Sequence, residues 1–215
     1  MIIRPDPQGS EGWYAARLGL PTASGFENLI TPKTLKPSKS ADRYLRRLLA
    51  EWLLGRPLDD ASSDFMARGN EMEADADRWY QFERGVDTIP VGLCLRDDEK
   101  VGASPDRLVG DDGLVELKVP SAEVHMGYLL DPATLVDDYH VQVQGELYVT
   151  GRAWADLVSI NPAIPSVLVR CERNGPFQAA LAEIVDAFVV RLDAAKARLR
   201  AMPGMGATQK VEATL

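Results

Sequence analysis

Residues 102–120 read Gly-Ala-Ser-Pro-Asp-Arg-Leu-Val-Gly-Asp-Asp-Gly-Leu-Val-Glu-Leu-Lys-Val-Pro, two short apolar runs separated by Gly110-Asp111-Asp112-Gly113. A Gly-bounded acidic link of that length closes a hairpin, so the stretch reads as two paired strands. Side chains alternate along a strand. Leu114, Glu116 and Lys118 therefore share one face, and Val115, Leu117 and Val119 the other. Asp106 opens the neighbouring strand, which the hairpin brings opposite them. Two carboxylates converging on one point can hold a hard divalent cation, and a lysine beside them can handle a water. A surface hairpin with an ordinary ion pair has the same pattern. Two features favour the site. Pro105 removes a backbone donor at the strand start, as at edges and bulges. The apolar residues around Glu116 and Lys118 imply a sheet with covered faces, where unpaired charges are costly.

The 215 residues are 46% hydrophobic and 26% charged, values of a soluble globular chain long enough for one sizeable core. No run of about 18 apolar residues occurs, and Met1-Ile2-Ile3-Arg4-Pro5-Asp6 lacks a signal-peptide pattern, so a cytoplasmic protein without membrane association is expected. Two cysteines, Cys94 and Cys171, are too few for an iron–sulfur cluster or a four-cysteine zinc site. With only His125 and His140 besides, any metal here takes mainly oxygen ligands. The net charge of −8 counts against nucleic acid, because phosphate neutralisation dominates DNA affinity. Local patches matter more than the total, however. Lys33, Lys36, Lys39, Arg43, Arg46 and Arg47 cluster in the N-terminal third, either as a solvated helix face or as a DNA-tracking patch.

Along the chain, Ser10 caps a helix over 11–18, with Trp13 and Arg17 four apart on one face. Thr22 caps a second short helix over 23–30, placing Ser24 in a first turn, where free N–H groups attract anions. Residues 31–38 read as a loop, and 40–54 as a helix stopped by Gly55. In the next helix, about 64–84, Met66, Gly69, Glu73, Ala76 and Tyr80 recur at three and four, so Glu73 lies in an apolar or small-residue stripe. A carboxylate there is paired with an arginine or ligates a metal. Glu71, Asp75, Asp77 and Arg78 fall to solvated sides. Strands follow over 88–95, 101–103, 106–109 and 114–119, then a helix over 121–130. Tyr139-His140-Val141-Gln142-Val143-Gln144 alternates like a strand. Continued to Val149 it also suits a helix on which Tyr139, Gln142 and Glu146 share a face, and periodicity leaves both open. Strands at 154–160 and 167–171 and a helix over 177–202 complete the chain, with 203–215 as a loose tail.

Ser-Pro-Asp-x₉-Glu-x-Lys resembles the core of the PD-(D/E)xK nuclease superfamily. The chain as a whole is similar to the phage lambda exonuclease/YqaJ-type viral recombinase family. Five motifs in order carry that resemblance: Trp13-x₃-Arg17-x-Gly19-x₂-Thr22-Ala23-Ser24; Ala67-Arg68-Gly69-x₃-Glu73-x₂-Ala76; Ala103-Ser104-Pro105-Asp106; Glu116-Leu117-Lys118-Val119-Pro120; and Tyr139-x₂-Gln142-x-Gln144 with Val149-Thr150-Gly151-Arg152 and Trp154. It implies an α/β (α+β) fold with a restriction-endonuclease-like core, a central mixed β-sheet flanked by helices. A single nuclease domain is implied: a mainly helical N-terminal part (1–85), a catalytic core (86–202) and a flexible tail (203–215). For 139–149 it favours the helix.

The resemblance also implies chemistry. Mg²⁺, replaceable by Mn²⁺, would be held as one or two ions by Asp106, Glu116 and the Leu117 backbone carbonyl, with Glu73 a further candidate ligand. Lys118 would orient or deprotonate the attacking water, and as a base it needs a lowered pKa. The counterparts of Arg17, Ser24, Ser104 and Gln142 surround a DNA 5′-phosphate, and Gln142 is also counted among the catalytic set with Asp106, Glu116, Lys118 and Glu73. An arginine fork and a hydroxyl at a helix start suit that anion; outside the motif, Arg17 would read as a surface ion pair with Glu11. The expected activity is a 5′→3′ exonuclease on double-stranded DNA ends that releases mononucleotides and leaves 3′ single strands. A phage or prophage recombination system in a bacterial host would supply a single-strand annealing protein as partner, and the family implies a homotrimer. A superfamily endonuclease of restriction or repair type and a non-catalytic DNA-end-binding subunit are the alternatives.

Overall fold

The structure, a computed structural model, describes residues 1–58 and 63–203, with the backbone alone over 63–71. The expected tail lies outside the described residues beyond Pro203, as do the side chains of Met66, Gly69 and Glu71.

After β1 (Ile2–Ile3), helix α1 (Glu11–Arg17) begins where expected, the Ser10 hydroxyl accepting from the Trp13 amide at 3.2 Å. The next turn is a 3₁₀ helix, Ala23–Asn28, rather than the α-helix expected over 23–30. Gly25 there sits directly on the Tyr44 ring, leaving no room for a Cβ. The Thr22 hydroxyl does not cap the helix. The expected loop at 31–38 contains a two-stranded ribbon, β2 (Ile30–Thr31) with β3 (Lys36–Pro37). Helices α2 (Ala41–Leu54) and α3 (Ser63–Arg84) follow, Gly55 ending α2 in the left-handed conformation.

The single strand expected at 88–95 is two strands in two sheets: β4 (Thr88–Pro90) and β5 (Cys94–Leu95), the latter beside β1 and β6 (Gly102–Ala103). Pro90 has no N–H with which to continue the first ladder, and the Arg4 amide takes the Leu93 carbonyl at 2.9 Å. β7 (Arg107–Val109) and β8 (Gly113–Lys118) form the expected hairpin, with Val109 paired to Gly113. Helices α4 (Ala122–Leu130) and α5 (Pro132–Thr150) then cross to β9 (Trp154–Asn161), which turns into β10 (Ile164–Glu172) and α6 (Gly175–Arg200).

The main sheet runs β10-β9-β8-β7-β4, and only β8–β9 is parallel, Glu116 opposite Leu157. A parallel pair needs a crossover that covers one sheet face. That crossover places α5 over Leu114, which packs with Leu135, Val143 and Leu147. On the opposite face Val115 and Leu117 meet Ala76 and Tyr80 of α3. Helix therefore covers both sides of β8, as the apolar pattern implied. Residues 139–149 are helical, and Gly145 lets α5 press onto Phe26 of the 3₁₀ turn, where a Cβ would come to 2.6 Å of the ring. A third cluster joins Phe26 and Leu29 to Phe177, Leu181, Val185 and Phe188 of α6.

Candidate active site

Because α5 crosses the face on which Glu116 and Lys118 lie, those two side chains meet Gln142 and Glu146, one turn apart on the helix. Glu116 Oε1 accepts from Lys118 Nζ at 2.7 Å and from Gln142 Nε2 at 2.5 Å. Gln142 also donates to Glu146 Oε1 at 2.9 Å, while its carbonyl accepts from Lys118 at 3.3 Å. The Tyr139 ring lies 4.5 Å from the Lys118 ammonium. Asp106, at the mouth of β7, accepts from the Leu117 amide at 2.6 Å. Asp106, Glu116 and Glu146 are all buried, and Glu116 Oε2 and Glu146 Oε2 have no hydrogen-bond partner.

Three buried carboxylates facing one ammonium leave negative charge in excess. Burial, then the charges of Glu116 and Glu73, push the Asp106 pKa well above the carboxylate range. Burial and the charge of Glu116 do the same to Glu146. Burial works against the Lys118 ammonium, but Glu116, by charge and hydrogen bond, outweighs it and holds that pKa above its ordinary value. Lys118 is therefore a fixed cation here, which suits the orienting role over the base. An unpartnered buried carboxylate oxygen beside a second carboxylate fits a hard divalent cation. Among the described residues no three His, Cys, Asp or Glu side chains form a ready-made cage; Asp106 and Glu116 are the carboxylates that would hold the ion, with water or phosphate completing its shell.

Glu73 lies near enough to Asp106 for its charge to act there, but it is paired with an arginine. Its Oε1 accepts from Arg107 Nη1 at 2.9 Å, the arginine pairing weighed against metal ligation. Arg107 also reaches Asp77 at 2.8 Å, and Asp77 takes the Thr88 hydroxyl at 2.7 Å. Asp77 is thus half-buried and paired, not solvated as expected; it is one turn from Glu73, and the hairpin carries Arg107 to both. Sequence reasoning passed over Arg107, although its place beside Asp106 on an alternating strand was the available signal.

On the other side of Pro105 the imbalance reverses. Ser104 Oγ receives hydrogen bonds from Arg17 Nη1 at 2.9 Å and Trp13 Nε1 at 3.0 Å, and the guanidinium lies 4.2 Å from the centre of the Trp13 ring. Arg17 Nη2 is 3.4 Å from both Thr22 Oγ1 and Ser24 Oγ. These partners are hydroxyls, not the Glu11 carboxylate. Burial lowers the Arg17 pKa against the smaller opposing charge of Glu51, and among the described residues no carboxylate pairs with it directly. It lines a cavity of about 690 Å³ with Trp13, Thr22, Ser24, Arg43 and Tyr44. Of the residues expected around an anion, Arg17, Ser24 and Ser104 come together. Gln142 is hydrogen-bonded instead among Glu116, Lys118 and Glu146. Arg43 and Arg47 bring part of the basic segment to the cavity, whose lining also includes Glu27 and Glu51, the latter paired with Arg47 at 3.0 Å.

Other polar residues hold the frame. Arg152 Nη1 donates to the carbonyls of Val109, Gly110 and Gly113 at 3.2, 2.9 and 2.6 Å, clamping the hairpin turn. Gln144 ties α5 to Glu172, Asn174 and Gln178 and takes no part in the site. Cys94 and Cys171 are free and buried, and no described helix is long and apolar enough to cross a membrane.

The family model for the YqaJ-like viral recombinase domain matches residues 12–153. Among solved structures, the chain is similar to an alkaline exonuclease from Laribacter hongkongensis, with 32% identity, TM-score 0.74, and 89% of this chain and 96% of that one covered. The same exonuclease in complex with dAMP gives 33% identity and TM-score 0.76 over the same shares. A phage-related exonuclease from Haemophilus somnus 129PT, at 16% identity and TM-score 0.69 over 84% of this chain and 96% of that one, shares the fold. No curated protein matches.

Proposed function

Since the chain belongs to the YqaJ-like viral recombinase domain family, we propose that it is a Mg²⁺-dependent exonuclease that digests double-stranded DNA from a 5′-phosphorylated end. It releases mononucleotides and leaves 3′ single strands for annealing-type recombination. DNA exonuclease activity rests on the relatives: two structures of an alkaline exonuclease about one-third identical, one of them bound to dAMP. The finer reading rests on one observation. Two opposite charge imbalances, the Asp106/Glu116 carboxylates and the Arg17 guanidinium, lie on either side of Ser104-Pro105-Asp106.

Asp106, Glu116 and the Leu117 carbonyl would hold the cation, with Mn²⁺ as a substitute. When bound, it would supply charge neutralisation at the scissile phosphate and a lower pKa for the attacking water. Lys118, fixed between Glu116 and Gln142, orients that water and adds positive charge where phosphate charge develops. Arg17 and the hydroxyls of Ser24 and Ser104 hold the terminal phosphate, which sets the strand end against the carboxylates. Glu73 would join a second ion through its other carboxylate oxygen, its Oε1 being held by Arg107.

Three copies of the 23.6 kDa chain closing into a ring would bring their basic segments toward one channel, which helps a chain of net charge −8 retain DNA. A single-strand annealing protein is the matching partner, and the bacterial cytoplasm the matching compartment. The test is linear against covalently closed circular duplex, each with Mg²⁺. Mononucleotide release from the linear form alone supports the reading. Cutting of the circle would identify an endonuclease, and binding to ends without hydrolysis a non-catalytic subunit.

A further inference from the structure

Glu146 shares a helix face with Gln142 and is among the most buried of the described polar residues, 1% exposed. A buried carboxylate with one oxygen unpartnered costs stability, which points to a role that offsets the cost. Among the described residues, its side chain's one hydrogen bond is from Gln142 Nε2. A primary amide has a carbonyl side and an NH₂ side that differ little in shape, so its neighbours decide which way it faces. Here the NH₂ side meets two acceptors, Glu116 Oε1 and Glu146 Oε1, and the carbonyl side meets the Lys118 ammonium. Turning the amide over would put oxygen against two carboxylates and NH₂ against an ammonium. Glu116 meets the amide through one oxygen, Oε1, which also holds Lys118; Glu146 supplies the second acceptor and sits one helical turn away on the same rigid element.

We propose that Glu146 is a positioning residue that locks the Gln142 amide, and through it the Glu116–Lys118 pair, in the orientation the cation site requires. The proposal rests on the nuclease reading above for its chemical consequence, but its physical content is the affinity of the site for a divalent cation. Glu146→Leu removes the acceptor and frees the amide to turn. Glu146→Gln keeps an acceptor oxygen in the same place. Residues that orient metal ligands typically change affinity by about 10–100-fold when lost.

The experiment is Mn²⁺ titration by calorimetry on the full chain without DNA, together with kcat and KM on linear duplex, for the wild type, Glu146→Leu, Glu146→Gln, Gln142→Ala and Gln142→Ala/Glu146→Leu. Glu146→Leu is expected to weaken Mn²⁺ binding by about ten-fold and lower kcat by a similar factor with KM for DNA unchanged. Its Tm should hold or rise, because a buried carboxyl group with an unpartnered oxygen is gone. Glu146→Gln should remain within about two-fold of the wild type. In the Gln142→Ala background, Glu146→Leu should add nothing, since it acts through that amide. Unchanged Mn²⁺ affinity in Glu146→Leu, or a full additional loss in the double variant, overturns the proposal. Glu146→Met, closer to glutamate in length, serves if the leucine variant does not fold. A wild type that binds Mn²⁺ but leaves DNA intact would sink the nuclease reading while the calorimetric comparison still decides the role of Glu146.

Discussion

Asp106 and Ser104 are two residues apart, yet their side chains belong to regions with opposite electrostatic faults. Asp106 lies with Glu116 and Glu146, whose surroundings hold too much buried negative charge; Ser104 lies under Arg17, a desolvated cation surrounded by hydroxyls and an indole. Asp156 gives the comparison: it is equally buried, but it is met by Arg170, Arg84 and the Tyr80 hydroxyl. Burial alone therefore does not set Asp106, Glu116 and Glu146 apart from a structural carboxylate; the missing counter-charge does. On the function proposed above, one region takes a cation and the other an anion, and a DNA end with its counter-cation offers both.

Breaking the acidic region should have the largest effect. Asp106→Ala, Glu116→Ala or Lys118→Ala should each lower the single-turnover rate on linear duplex by about 10³-fold or more. End binding, read by fluorescence anisotropy, should persist. Asp156→Ala is the control that sharpens the contrast. It should cost about 2–4 kcal/mol of folding stability in urea titrations, and any loss of rate should follow the folded fraction.

Breaking the basic region should be milder and selective. Arg17→Ala should shrink the preference for 5′-phosphorylated over 5′-hydroxyl duplex by about ten-fold, near 1.4 kcal/mol. An unchanged preference would remove Arg17 from the phosphate pocket.

The smallest effect is on stability against pH. An acid whose pKa is raised on folding contributes stability that is present in full below its unfolded value of about 4 and lost as pH rises through its folded value. Asp106 and Glu146 are raised by burial first, so the cation-free Tm should drift down from pH 5 toward pH 8. Ligands bind a metal deprotonated. Added Mg²⁺ should therefore raise Tm more at pH 8 than at pH 6, and equal increments at the two pH values would contradict the acidic region as the cation site.

The sequence disclosed these regions unequally. Alternation and a Gly-bounded turn were enough to place Glu116 and Lys118 on one face of a hairpin, and the arrangement followed from local rules. The covering helix did not, because the 139–144 segment satisfies both periods. Only the parallel β8–β9 pairing, a long-range choice, makes α5 a crossover and drops Gln142 and Glu146 onto Glu116. Arg107 and Asp77 were missed for a related reason: their pairing joins α3 to β7 across thirty residues. The 3₁₀ turn at Ala23–Asn28 depends on close packing of Gly25 on Tyr44 and Gly145 on Phe26. No local propensity encodes it.

The central claim is a cation region and an anion region side by side, and anomalous diffraction tests it most directly. Crystals would be grown with Mn²⁺ and a short 5′-phosphorylated duplex. The account predicts a manganese peak between Asp106 and Glu116, and the terminal phosphate on Arg17, Ser24 and Ser104. Manganese bound away from both carboxylates, or a terminal phosphate bound away from Arg17, would contradict it.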